Sequence, residues 1–221
     1  METLYMKSRT LFLSLILMSL LSSLQAQETD LFQIWPDTIL SKANSASQVS
    51  YMSDQEKNVV FYINMCRVNP PLFAETYFTD YIKERKIKKD KDVKGLIKFL
   101  ENTKPRVILQ PNELLTDLAR NQAKDMGESG RTGHNSSDGT AYRTRIESAM
   151  KSFNGVNENA NYGNEMGIDI VIDLLIDRDV PDAGHRKNIL DPEMEFVGVA
   201  IEPHRRFKFN CVQDFGGSRL K

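Results

Sequence analysis

The chain is poor in the residues that carry most protein chemistry: 221 residues hold three histidines, two cysteines and one tryptophan. No Gly-x-Ser-x-Gly turn is present to expose a nucleophilic serine, and no internal repeat sets a solenoid or array. Charge of one sign is missing too. Lys and Arg number 29 against 30 Asp and Glu, for a formal net charge of −1. That balance leaves no basic footprint of the kind nucleic acid requires. The locally basic stretch 83–92 is interleaved with acids and is a solvated helix face or an insertion. After the N-terminus no apolar run is long enough for a membrane span. What remains, 40% hydrophobic and 27% charged, is the composition of an ordinary globular domain.

The N-terminus has the form of an export signal. Lys7 and Arg9 precede an apolar stretch from Leu11 to Leu21, then Ser22, Ser23 and a cleavable Leu24-Gln25-Ala26. Residues 1–26 are therefore expected to be a signal peptide, with the mature chain starting at Gln27 and lying in the periplasm or outside the cell. No cysteine follows the cut to take a lipid. Residues 27–52, with Ser41-Lys42-Ala43-Asn44-Ser45-Ala46-Ser47, are expected to be a polar linker. Export permits a Cys66–Cys211 disulfide, worth at most about 4–5 kcal/mol in the chain-entropy model; two unrelated buried thiols are the alternative.

From residue 53 the pattern is that of a folded domain. Ser53-Asp54-Gln55-Glu56 is a capping box, and Val59, Val60, Ile63 and Cys66 follow at helical spacing. Asn69-Pro70 restarts a helix, continued by Phe73, Tyr77, Tyr81 and Ile82. A short apolar helix is expected around Leu96–Leu100. Pro111-Asn112 opens another, with Leu115, Leu118, Ala119, Gln122 and Met126 on one face and Gly127 and Gly130 as stops. A short helix is expected from Thr140 to Met150. Ile168 to Ile176 reads as a buried helix carrying one polar stripe, Asp169, Asp173 and Asp177. Near the C-terminus the period changes to two. Phe196–Glu202 and Phe207–Asp214 read as strands joined through Pro203-His204-Arg205-Arg206. Helices first and an antiparallel hairpin last give an α+β layout.

Two of the scarce histidines sit in short polar segments: His134 in Gly133-His134-Asn135-Ser136-Ser137-Asp138-Gly139, and His185 in Asp182-Ala183-Gly184-His185-Arg186-Lys187-Asn188-Ile189-Leu190. Asn157-Glu158-Asn159-Ala160 lies between them. Loops on a rigid scaffold are where binding and catalysis concentrate. Ser136 and Ser137 beside His134 are more simply loop residues that bond their own backbone.

These blocks, in this order, resemble one family. Asn64 and Arg67 on the first helix are followed by the Leu114–Met126 helix, Gly133-His134 and Glu158-Asn159. Gly184-His185-Arg186-Lys187-Asn188-Ile189-Leu190-Asp191-Pro192, Val197-Gly198-Val199-Ala200 and Gln213-Asp214-Phe215-Gly216 complete the series. The chain is similar here to the CAP superfamily, the SCP-like extracellular domain of cysteine-rich secretory proteins, venom antigens and pathogenesis-related proteins, in its exported bacterial branch. The resemblance covers about residues 53–216. It implies a three-layer α-β-α sandwich around a central antiparallel sheet, with His134 and His185 facing each other across a cleft beside Glu158. Animal-type members add a second acid. Asp177 is the candidate here, ahead of Asp173 and Asp179. Residues 78–110 exceed the common family linker and read as a charged insertion.

His134, Glu158, His185 and Asp177 would suit Zn²⁺, with nitrogen and oxygen ligands and water completing the shell, or another divalent cation. Without metal, Glu158 would fix an imidazole tautomer. The main expectation is a secreted binding module with a His/Glu cleft for a divalent metal or small ligand; the family adds lipid, sterol or peptide as ligand classes. A metal-dependent or serine-type hydrolase, and an extracellular interaction protein using 78–110 over a vestigial cleft, are the alternatives.

Overall fold

A computed structural model describes residues 34–220; the expected signal peptide lies outside these. The described chain falls into two units divided after Leu40. Residues 34–40 end the first unit, and a helix over Asp37–Ala43 crosses the division. Everything below concerns the second unit.

The capping box predicted at Ser53 is formed: Ser53 Oγ accepts from Glu56 N at 3.3 Å and Ser53 N donates to Glu56 Oε2 at 2.7 Å. It opens helix α1, Asp54–Val68. Glu56 does more than cap. Its Oε1 also accepts from Arg120 at 2.9 Å and from the Ile201 backbone N–H at 2.9 Å, so one buried carboxylate joins a helix end, a second helix and a strand. After α1, Pro70–Phe73, a π turn over Ala74–Phe78 and Thr79–Glu84 run on as helix. Helix α2 spans Lys91–Glu101, beginning inside the charged stretch because Asp90 caps it, accepting from Asp92 N and Val93 N at 3.1 Å each. Helix α3 is Glu113–Ser129, capped by Asn112 and ended by Gly130 at φ 70°.

The sheet has the order β1-β3-β4-β2. β1 is Gln110–Pro111, β2 Val156–Tyr162, β3 Phe196–His204 and β4 Lys208–Gly216. The expected antiparallel pairing holds for β3 with β4 and β4 with β2, while the two-residue β1 runs parallel to β3 and makes the sheet mixed. The C-terminal hairpin forms as predicted, extended by two residues at the end of each strand. β2 has no sequence signature. Val156-Asn157-Glu158-Asn159-Ala160-Asn161-Tyr162 is poor in strand formers; pairing with β4 along its whole length, from Val156↔Gly216 to Tyr162↔Asn210, makes it a strand.

Helix α3 lies on one face of the sheet; α1 and helix α4, Gly167–Ile176, form the layer opposite. The α3 side is packed with small residues, Ala119 and Ala123 against Ala200 and Val212. Glycine is required at two of these contacts. A Cβ on Gly198 would fall 2.1 Å from Leu115 C and Thr116 N, and one on Gly127 would fall 2.1 Å from Pro203 O. Helix backbone thus rests directly on the strands, fixing α3 at both ends.

Two buried side chains from α1 organise the far end. Asn64 donates to Leu109 O at 3.1 Å and accepts from Leu109 N at 2.8 Å, mimicking a strand partner just before β1. Arg67 is bonded by four carbonyls: Val107 at 2.9 Å, Ile189 at 2.7 Å, Asp191 at 3.0 Å and Met194 at 2.8 Å. Residues 41–52 are not free linker. Ala43 and Ala46 are buried, Ala43 O accepts from Asn64 at 3.1 Å, and Ser45 Oγ donates to Leu109 O at 2.8 Å. Cys66 and Cys211 are both free and buried, so the disulfide alternative is not realised. Burial pushes both thiols far above their usual range.

Candidate functional site

β2 is an edge strand, and its two-residue period sends Glu158 and Asn159 to opposite faces of the sheet. The two histidine segments dock at these adjacent residues.

On the Glu158 side, the loop after α3 is held from the helix. Gln122 Nε2 donates to Gly133 O at 3.2 Å, Asp125 Oδ2 accepts from Ser137 N at 2.6 Å, and Tyr162 Oη accepts from Gly133 N at 2.8 Å. His134 is thereby placed with Nδ1 at 2.7 Å from Glu158 Oε1. The other carboxylate oxygen of Glu158 is paired with Arg145, whose guanidinium also bonds His134 O at 3.2 Å. The predicted helix 140–150 is two turns, Tyr142–Arg145 and Glu147–Met150, and the first of them delivers Arg145. Glu158 is buried while half of the His134 side chain is exposed, 1% against 46%.

On the Asn159 side lies helix α5, Gly184–Ile189; His185 is in its first turn rather than in a loop. Asn159 Nδ2 donates to His185 O at 3.2 Å, and Asn188 Nδ2 donates to Glu158 O at 3.2 Å and to Asn159 Oδ1 at 2.9 Å. Asp177 ends α4 in the left-handed conformation, φ 58°. Its Oδ2 accepts from His185 N at 2.9 Å and Arg186 N at 3.2 Å, and its Oδ1 is 2.7 Å from His185 Nδ1. Asp177 is therefore the acid of the stripe that reaches an imidazole. The other members of its stripe have different partners: Asp169 accepts from Tyr81 Oη at 2.9 Å, and Asp173 from Asn161 Nδ2 at 2.6 Å. Asp179 lies exposed in the following loop.

The structure thus makes two imidazole–carboxylate pairs, His134–Glu158 and His185–Asp177, each through Nδ1. A carboxylate at Nδ1 favours the tautomer with the proton on that nitrogen and leaves Nε2 with a free lone pair. Among the described residues no side chain or backbone group bonds either Nε2. A four-ligand cation site does not fit this arrangement. Both carboxylates are occupied by hydrogen bonds, the Arg145 cation already sits on Glu158, and among the described residues no three His, Cys, Asp or Glu side chains converge to hold a metal. Nor does a serine hydroxyl bond an imidazole there; Ser137 Oγ donates to Asp125.

Two residues that sequence reasoning did not assign to the site sit beneath His134. Asp214 faces Glu158 across the β4–β2 ladder, fully buried, with no protein hydrogen bond to either oxygen as a carboxylate. Burial first, and then the Glu158 charge, push its carboxyl well above the usual range, with Arg145 opposing. Two facing carboxylates contain no donor; a proton on Asp214 would supply one beside Glu158. Tyr142 stands edge-on to His134 at 5.9 Å between ring centroids, and its hydroxyl is buried without a partner. Burial, then Asp214 and Glu158, raise the phenol above its ordinary range. The motif Gln213-Asp214-Phe215-Gly216 was visible in the sequence, but burial at the ladder position opposite Glu158 was not.

The third histidine is structural. His204 ends β3; its Nε2–H donates to Arg131 O at 2.8 Å, and Nδ1 accepts from Arg206 N at 3.1 Å. Beside the His134 loop are an open cavity of about 460 Å³ lined by residues including Arg131, His134 and Ser136, and a cavity of about 250 Å³ under Tyr142, Ile146, Met150 and Phe153.

A family model described as the cysteine-rich secretory protein family, CAP, matches residues 103–215. A search of the curated proteins gives no match. Among solved structures, similar chains include an extracellular protein containing an SCP domain from Bacillus anthracis, at 23% identity and TM-score 0.42 over 51% of this chain and 35% of that one. This chain therefore spans about a third of the length of the Bacillus protein. An outer surface protein of Borrelia burgdorferi is 22% identical, TM-score 0.42, over 61% and 97% of the respective chains. Venom allergen-like protein 4 of Schistosoma mansoni is 15% identical, TM-score 0.46, over 77% and 92%.

Proposed function

Because the chain belongs to the cysteine-rich secretory protein (CAP) family, we propose that it is an exported binding module that takes a small ligand through the Nε2 atoms of His134 and His185. Export rests on the leader-like residues 1–26 and on the family's secretory character. The single observation carrying the binding reading is that each imidazole is locked at Nδ1 by a carboxylate whose side chain is at most 1% exposed. Buried polar pairs cost desolvation, and here two of them leave the same ring atom unpartnered on each histidine. In this arrangement the acids orient and the imidazoles contact. A ligand N–H or O–H would donate to the Nε2 lone pair, and a cation at either ring would meet one nitrogen and solvent, a weak site rather than a closed one.

The test follows the ¹⁵N signals of both imidazoles while Zn²⁺ and, separately, tetraglycine are titrated in. Movement of Nε2 with Nδ1 unchanged, together with calorimetric heats that vanish in the His134→Ala, His185→Ala double variant, is expected for at least one probe. Equal heats from both proteins with each probe, or shifts confined to Nδ1, would overturn the proposal.

A further inference from the structure

The His185–Asp177 pair is assembled on unfavourable backbone. Between α4 and α5, Asp177, Asp179, Asp182 and Ala183 all have positive φ, at 58°, 58°, 65° and 49°, and none is glycine. Non-glycine residues in this region are each unfavourable by about 1 kcal/mol or more, and they persist where surrounding structure imposes them. Beyond the bonds of the loop to its own neighbours, the residues next to the pair are gripped by one helix. Asp90, the N-cap of α2, is ion-paired with Arg178, and Asp92 lies 3.9 Å from the same guanidinium. At the other end of α2, the Phe99 ring lies 5.4 Å below the Arg186 guanidinium. That guanidinium also donates to Leu175 O at 2.6 Å and Ile176 O at 2.8 Å, the last carbonyls of α4. Arg178 directly follows Asp177, and Arg186 directly follows His185. Helix α2 therefore holds the residue next to each member of the pair. It belongs to the 78–110 insertion and precedes the segment matched by the family model.

We propose that helix α2 sets the geometry of the His185–Asp177 pair, with Asp90 and Phe99 as positioning residues acting through Arg178 and Arg186. The side chains of His134 and Glu158 are held by the loop after α3, by Arg145 and by β2, with no contact from α2 among the described residues. A change in α2 therefore loosens one imidazole and spares the other. The importance of this for ligand contact rests on the binding reading above, but the readout does not, since it needs no ligand.

The experiment measures the Nδ1 protons of His185 and His134 by NMR in the full chain. In an Asp90→Asn, Phe99→Ala double variant, Asn keeps the capping acceptor of α2 and removes only the charge facing Arg178. Solvent exchange of the His185 Nδ1 proton is expected to accelerate about fivefold or more, the scale of one exposed ion pair and one cation–π contact released together, while the His134 proton is unchanged. Asp90→Glu, which restores the charge, should recover the slow exchange in the Phe99-intact background. An unchanged His185 proton in the double variant would overturn the proposal. So would equal acceleration at both histidines, which would mean general loosening. If the double variant fails to fold, the single Asp90→Asn variant is decisive on the same two signals.

Discussion

Replacing Arg67 with Met tests the account of how the His185 end of the domain is held. The Arg67 guanidinium donates four hydrogen bonds, to the carbonyls of Val107, Ile189, Asp191 and Met194, and the residue is completely buried. Burial lowers its pKa to about 10, with Asp191 opposing, so it stays charged at neutral pH. A hydrogen bond from a charged donor contributes about 1.5–3 kcal/mol net, and removing four gives a nominal loss of about 6–12 kcal/mol by that rule. Against this, several kcal/mol of cation desolvation is no longer incurred, and Met fills most of the volume with apolar atoms. The balance is a loss of about 3–5 kcal/mol, because the stranded carbonyls remain buried and chain connectivity prevents them from all turning elsewhere. For a domain of this size that lowers Tm by roughly 10 °C. Urea unfolding followed by far-UV circular dichroism, at constant m-value, measures it. A loss below about 1 kcal/mol would show that water or neighbouring donors replace the guanidinium, and that Arg67 does not organise the 189–194 segment.

Three further outcomes follow from the same geometry. Gly198→Ala puts a methyl 2.1 Å from α3 backbone, and should cost at least about 1–3 kcal/mol as an overpacked contact; unfolding at an unchanged urea midpoint would contradict the close helix–sheet approach. Asp214 has a raised carboxyl pKa, so between the ordinary carboxylate range and that raised value the folded chain holds a proton that the unfolded chain has lost. Wild-type stability should therefore fall, relative to Asp214→Asn, as pH rises from about 4 towards neutrality, by up to about 1.4 kcal/mol per pH unit; parallel pH profiles would refute the proton on Asp214. The thiols of Cys66 and Cys211 are buried and free, and should react with Ellman's reagent only after denaturant is added; prompt labelling of the native chain would count against the burial of α1 and β4.

The candidate residues were legible because they are rare and their neighbours polar. Three histidines leave few combinations, and Gly133-His134, Glu158-Asn159 and Gly184-His185 are separated by helical periodicity strong enough to read. The stripe Asp169, Asp173, Asp177 was visible as spacing, yet its three different partners were not, since they come from Tyr81, Asn161 and His185. Gln122 read as a member of an apolar face, but it holds the carbonyl of Gly133. β2 escaped notice because an Asn-rich edge strand takes its conformation from the partner it pairs with.

The sequence by itself determined the capped helices, the two-period hairpin and the identity of the titratable groups, because each depends on residues within a few positions of one another. Only the tertiary structure decided that Glu158 and Asp177 each hold a separate imidazole, that Asp214 lies opposite Glu158, and that helix α2 reaches the residues beside His185. The physical reason is distance along the chain. Hydrogen bonds and burial join residues dozens of positions apart, such as Arg67 with Met194, and the environment that sets a carboxyl's charge exists only after those segments have come together.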